Sequence, residues 1–119
     1  MAIATSAAGR AYLAALPLTQ RQEVLDEVRA ASGKEWPKVK QRLDAALAEF
    51  GRAGYCTSFG EWHPDIHAIG FALRGLQGEL YAVSVGGPAY KLPREWLLEK
   101  VAPQVLRAQE AIASEAGRA

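Results

Sequence analysis

Apolar residues recur every three or four positions through most of the first 53 residues, every second position from 66 to 86, and every three or four again from 97 onward. A period near 3.6 marks a helix buried on one side, and a period of 2 marks a strand. The order predicted is therefore helices, strands, helix. Thr5 and Ser6 stand as capping residues ahead of AAGRAYLAAL, a first short helix that Pro17 closes. Thr19 and Gln22 have capping-box spacing and open a second helix, with Val24, Leu25 and Val28 inward and Gly33 past its end. In a third helix, from about Pro37 to Ala53, Val39, Leu43, Leu47 and Phe50 share one side and Gly54 supplies the stop. Lys34, Lys38 and Arg42 read as its solvated face. Strands are predicted at YCTSF, at 66–74 and at 79–86. The last helix, about Arg94 to Ser114, carries Leu97, Val101, Val105, Ala108 and Ile112 as its stripe, and Pro103 is expected to kink it or start a new turn. Helices around a small antiparallel sheet make the class α+β. A three-stranded sheet is smaller than the usual roughly five or six strands, so strands are missing or come from another chain.

Side-chain size sharpens the picture. From 67 to 73 the odd positions are His, Ile, Phe and Leu, and Ala68, Gly70 and Ala72 fall between them; from 81 to 86 Tyr, Val and Val alternate with Ala82, Ser84 and Gly86. A three-residue loop of Leu76, Gln77 and left-handed Gly78 would pair Gly75 with Glu79. Ala72 then faces Ala82, Gly70 faces Ser84 and Ala68 faces Gly86, which puts every small residue on one face. The bulky face is expected to be core. The small face either admits a close-packed helix or leaves a cavity for a ligand.

Composition excludes more than it selects. The chain of 119 residues is sized for one domain, half its residues are apolar, and 14 basic residues against 13 acidic give a net charge of +1. That balance leaves no electrostatic footprint for nucleic acid or anionic lipid, so the chain by itself should bind DNA poorly. Its single cysteine, Cys56, forbids an internal disulfide and fits a reducing cytoplasm. The apolar run AYLAALPL is too short and wrongly flanked for a signal peptide or a membrane span.

Candidate chemistry centres on EWHPDIH, where Glu61, His63, Asp65 and His67 occupy alternate positions. On an extended segment Glu61, His63 and His67 could converge as a metal site for a metal-dependent enzyme, but the preferred reading is a polar loop running into a strand, with the histidines flanking the site and binding no metal. Pro64 rules out the helical geometry of a metalloprotease, and no third nitrogen or sulfur donor stands nearby except Cys56. Ser58 and Ser84 can be written into a triad with the histidines, but no nucleophile elbow accompanies them. The reading is that the chain is not an enzyme and carries no cofactor.

The segments TSAAGRAYLAALP, LAEFGRAGYCTSFGEWHPDIHAIGFAL, GELYAVSVGGPAYKL and VLRAQEAIAS resemble, in order and spacing, the C-terminal half of the effector domain of the isocitrate-lyase-regulator (IclR) family of bacterial transcription factors. The resemblance implies a GAF-like domain that binds small organic acids or aromatics and forms homodimers or tetramers. It also implies that DNA is bound only through an N-terminal winged helix-turn-helix, absent here along with the first effector-domain strands, so the chain is expected to be a partial effector-binding domain. Carried over one at a time, the backbone amides that take an effector carboxylate fall at Ala7 and Ala8. The family's acidic pocket residue falls at Ser58, its apolar neighbour at Ile66, its pocket cysteine at Ala68, and its two serines at Ser84 and Gly86. With Gly70 from the small face, these are the expected effector residues. Ser58, Ala68 and Gly86, with Ala72 for a strand proline, leave fewer hydrogen-bonding groups and more volume than the family pattern. A larger, less polar effector such as an aromatic acid is expected, and a pure dimerisation module with a closed pocket is the alternative.

Overall fold

A computed structural model of the chain describes residues 3 to 118, with side chains through 112. Three helices come first: α1 (Ala7–Ala15), α2 (Leu18–Ser32) and α3 (Trp36–Ala53). The antiparallel sheet follows in the order β1-β2-β3, with β1 (Cys56–Phe59), β2 (Ile66–Arg74) and β3 (Leu80–Pro88). A helical segment closes the chain: α4 (Arg94–Trp96), a π-helical turn over Leu97–Val101, and α5 (Ala102–Arg118).

The hairpin register is the one the loop length predicts. Gly75 N–H donates to the Glu79 carbonyl at 2.8 Å, Gly78 has φ +84°, and Ala72, Gly70 and Ala68 pair with Ala82, Ser84 and Gly86. β1 extends the rungs, placing Ser58 beside Ala68 and Cys56 beside Gly70. The small face thus runs across all three strands.

Each face packs against a different layer. On the bulky side Ile69 and Phe71 are buried with Leu97 and Ala102, and Tyr55, Phe59, Val85, Val101, Val105 and Leu106 pack around them. On the small side α1 lies along β2. A Cβ added to Gly70 would sit 2.0 Å from the Ala7 carbonyl oxygen, and at the far end Arg74 donates to the Ala15 carbonyl at 3.0 Å. Glycine is required at 70 because the first peptide of α1 occupies the place of a side chain. Ala11, Ala46 and Cys56 form a small cluster, and Leu13, Leu16 and Leu43 gather Val24, Leu25, Val28, Val39 and Leu47. Burial pushes the Cys56 thiol up to about 12, so it stays protonated and acts as an apolar filler.

Several expectations are corrected. Pro17, not Thr19, caps α2; no side-chain cap bond forms there, and the Gln22 amide donates to Asp26 instead. The last helix absorbs Pro103 through the wide π turn, because a proline cannot bond back and collides with the carbonyl four residues earlier. The added residue rotates the stripe. Ala102, Leu106 and Gln109 turn inward, Ala108 and Ile112 are exposed, and the Gln109 amide donates to the Ala72 carbonyl just past the end of β1. The bulky face is core only as far as β2 reaches. β3 is an edge strand, and nothing described covers Tyr81 or Val83, both exposed.

Candidate functional site

α1 does not cover the whole small face. Ser6 starts the helix, with extended backbone (φ −88°, ψ 145°) and a hydroxyl that accepts the Gly9 N–H at 3.0 Å. Ala7 and Ala8 are the first two helical residues, whose amides have no acceptor within the helix. The buried Ser58 hydroxyl donates to the Thr5 carbonyl at 2.5 Å and pins the start of α1 to β1. Beyond that point the sheet is bare.

The result is a cleft of about 480 Å³ between the start of α1, the sheet and the β1–β2 loop. Such a volume falls in the range of small-molecule pockets, roughly 300–1,000 Å³. Ala68 and Gly86 form its floor, with Ser84 and Gly87 beside them on β3; Ser6, Ala7 and Ala8 form one wall, and Ile66 and Trp62 close the other side. Gly86 allows the floor to be flat, since a Cβ there would come within 2.7 Å of the Ala68 methyl. Among the described residues no charged side chain lines the cleft. An anion in it would depend on the amides and dipole at the start of α1 for its charge.

Of the eight residues singled out from the sequence, Ala7, Ala8, Ser58, Ile66, Ala68, Ser84 and Gly86 line this one cleft. Gly70 does not, since it lies beneath α1. Helix packing and cavity, posed as alternatives for the small face, divide it between them. Within this chain, packing of α1 leaves the cleft open. Phe71 lies in the core on the opposite face, and its rung partner Val83 shares that face. Ser6, Gly87 and above all Trp62, with 59% of its surface exposed, were not expected from the sequence. Trp62 lies in a loop without periodicity, where spacing carries no signal.

The EWHPDIH residues are engaged elsewhere. Arg10 is buried, and its guanidinium donates to both Glu61 oxygens at 2.7 and 2.8 Å, to the Thr57 carbonyl at 2.8 Å and to the Ala4 carbonyl at 2.9 Å. The hydrogen bonds from Arg10 hold the Glu61 carboxyl below its ordinary value, outweighing the opposing effect of burial. His63 Nδ1 accepts the Asp65 N–H at 3.1 Å, and His67 Nδ1 lies 2.8 Å from the Leu92 carbonyl, which fixes the proton on that nitrogen. Among the described residues no three His, Cys, Asp or Glu side chains gather to hold a metal ion, which leaves the less favoured metal alternative without a ligand set. A larger hollow of about 560 Å³ lies between α3 and β1, but its floor is committed: Glu61 to Arg10, and Glu49 to the Thr57 amide and hydroxyl. No helix among the described residues is long and apolar enough to cross a membrane.

Fold and cleft together define a GAF-like α+β domain with room for a small molecule. Residues 1–114 match the family model of the bacterial transcriptional regulator IclR C-terminal domain, and the chain belongs to that family. It is similar to the crystal structure of an IclR-family transcriptional regulator from Brucella abortus, with 36% identity and a TM-score of 0.88 over 95% of this chain and 43% of that one. It is 22% identical, over 97% of its length and 42% of the relative's, to the HTH-type transcriptional regulator TsaQ1/TsaQ2 of Comamonas testosteroni. It shares its fold with the PobR inducer-binding domain of Acinetobacter, solved as a double mutant with 3-hydroxybenzoic acid, at 16% identity and a TM-score of 0.62 over 97% of this chain and 65% of that one. The chain spans less than half the length of the curated relative it matches.

Proposed function

We propose that this chain is the effector-sensing part of an IclR-type bacterial transcriptional regulator, and that the effector is an aromatic or other organic acid seated in the cleft over Ala68 and Gly86. The observation that carries this reading is an open cleft with no charged side chain among its described lining residues, edged by the start of α1, where the amides at Ala7 and Ala8 would serve an anion. Ser58, Ile66 and Ser84 complete its lining, with Ser84 the hydroxyl best exposed to an occupant. A two- or three-carbon oxoacid would leave most of its polar atoms without partners there, and that desolvation is costly. A ring with one carboxylate matches better. The 3-hydroxybenzoic acid of the PobR complex supports the same ligand class on the same fold.

Binding would act by favouring one subunit arrangement over another. The free edge of β3, with Tyr81 and Val83 uncovered, supports the assembly side of the proposal, a homodimer or tetramer with DNA reached through a separate N-terminal domain in the cytoplasm. Calorimetric titration tests the ligand class: benzoate and 3-hydroxybenzoate are expected to bind with dissociation constants below about 1 mM, and glyoxylate and pyruvate not measurably. Tight binding of the oxoacids with none of the aromatic acids would overturn the proposal.

A further inference from the structure

Among the described residues Trp62 is the one aromatic side chain lining the cleft, and 59% of its surface is exposed. Leaving an indole uncovered forfeits its burial, the largest apolar contribution a single side chain offers. The chain on both sides of Trp62 is nevertheless held by well-defined contacts. Its neighbour Glu61 is held in a two-point ion pair by Arg10, from the same helix whose first residues line the cleft. The loop is closed by Gly60 N–H to the Ile66 carbonyl at 2.9 Å and by Ile66 N–H to the His63 carbonyl at 3.0 Å, and tied to the end of β3 by Ala89 N–H to the Asp65 carbonyl at 2.7 Å. A positive φ at Gly60 makes the turn into this loop, and a Cβ there would press within 3.2 Å of the Pro64 carbonyl oxygen.

We infer that Trp62 is the specificity-determining residue of the cleft, an aromatic wall that selects planar unsaturated rings over saturated rings of the same size. The inference rests on the effector reading above and adds to it the residue that reads the ring. The floor of Ala68 and Gly86 offers only hydrogens and methyl groups and cannot distinguish a benzene ring from a cyclohexane ring. An indole face or edge can, because two π systems attract through their complementary charge distributions and a saturated ring lacks one. Arg10 and Glu61 are positioning residues, fixing the wall relative to the start of α1 and so the distance from ring to carboxylate.

The test compares benzoate with cyclohexanecarboxylate, which carry the same carboxylate and the same number of carbons, by calorimetry on the unaltered chain and on Trp62→Ala and Trp62→Phe. The unaltered chain should prefer benzoate by about five- to tenfold. In Trp62→Ala that ratio falls to near one, while cyclohexanecarboxylate loses little. Trp62→Phe keeps most of the preference, as a smaller aromatic in the same place should. Equal binding of the two acids by the unaltered chain, or an undiminished preference in Trp62→Ala, overturns the role of Trp62 and leaves the effector reading standing. If neither acid binds, the effector reading fails and the inference falls with it.

Discussion

Gly70→Ala is expected to destabilise the chain by about 3 kcal/mol, the upper end for an overpacked site, and to abolish acid binding in the same step. The added methyl would lie 2.0 Å from the Ala7 carbonyl oxygen, 2.2 Å from its carbon and 2.7 Å from the Ala8 nitrogen. All three are backbone atoms of a helix start that cannot swing aside as a side-chain tip can. α1 would have to lift from β2, breaking the hydrogen bond by which Ser58 pins the Thr5 carbonyl and moving Ala7 and Ala8 at the edge of the cleft. A thermal melt should show a midpoint lowered by roughly 10 °C. Gly51→Ala is the internal control. Gly51 is exposed within α3 and nothing lies within 4 Å of a Cβ placed there, so the same substitution should stabilise by about 0.5–1 kcal/mol. Two equal melts would show that α1 does not rest on Gly70.

Arg10→Met should cost about 3 kcal/mol, the low end for breaking a buried ion pair, because Glu61 keeps 35% of its side chain in water. Methionine preserves much of the buried volume, so the loss would come from four abandoned hydrogen bonds and not from a cavity. The same pair sets a pH dependence. The Glu61 carboxyl is held below 4.5 in the folded chain, so its contribution is complete above that value and is lost as pH falls through the lower folded-state value. Denaturant titrations from pH 7 down to pH 3 should therefore show the unaltered chain losing stability faster than Glu61→Gln, which has no proton to gain. Parallel acid limbs would mean that the pair adds nothing to stability.

The register of the hairpin was readable because it depends on neighbours in sequence: a loop of three residues, a glycine at its end and strict alternation on either side. From it followed the small face and, with the family resemblance, seven residues that share the cleft. The start of α1 was readable from Ser6 for the same local reason. What distance along the chain conceals was not. Arg10 and Glu61 are 51 positions apart, and only their meeting shows that Glu61 belongs to an ion pair and not to a metal site. Gly70 has the same size signature as Ala68 and Gly86, yet the path of α1 buries it and leaves them open. The stripe of the last helix held at Leu97, Val101 and Val105 but not at Ala108 and Ile112, for a different reason: Pro103 is accommodated by a wide turn, and the extra residue turns the later positions away from the core. Tyr81 and Val83 read as core because alternation reports which face a residue shares, not whether a layer extends far enough to cover it.

Ligand is expected to bind on the bare part of the small face, capped by the start of α1. Amide chemical shifts during a benzoate titration test it most directly. The largest changes are expected at Ala7 and Ala8, with Ala68, Gly86 and Gly87 following at the same midpoint. Shifts confined to Arg42, Glu49 and Arg52, around the hollow between α3 and β1, would contradict it.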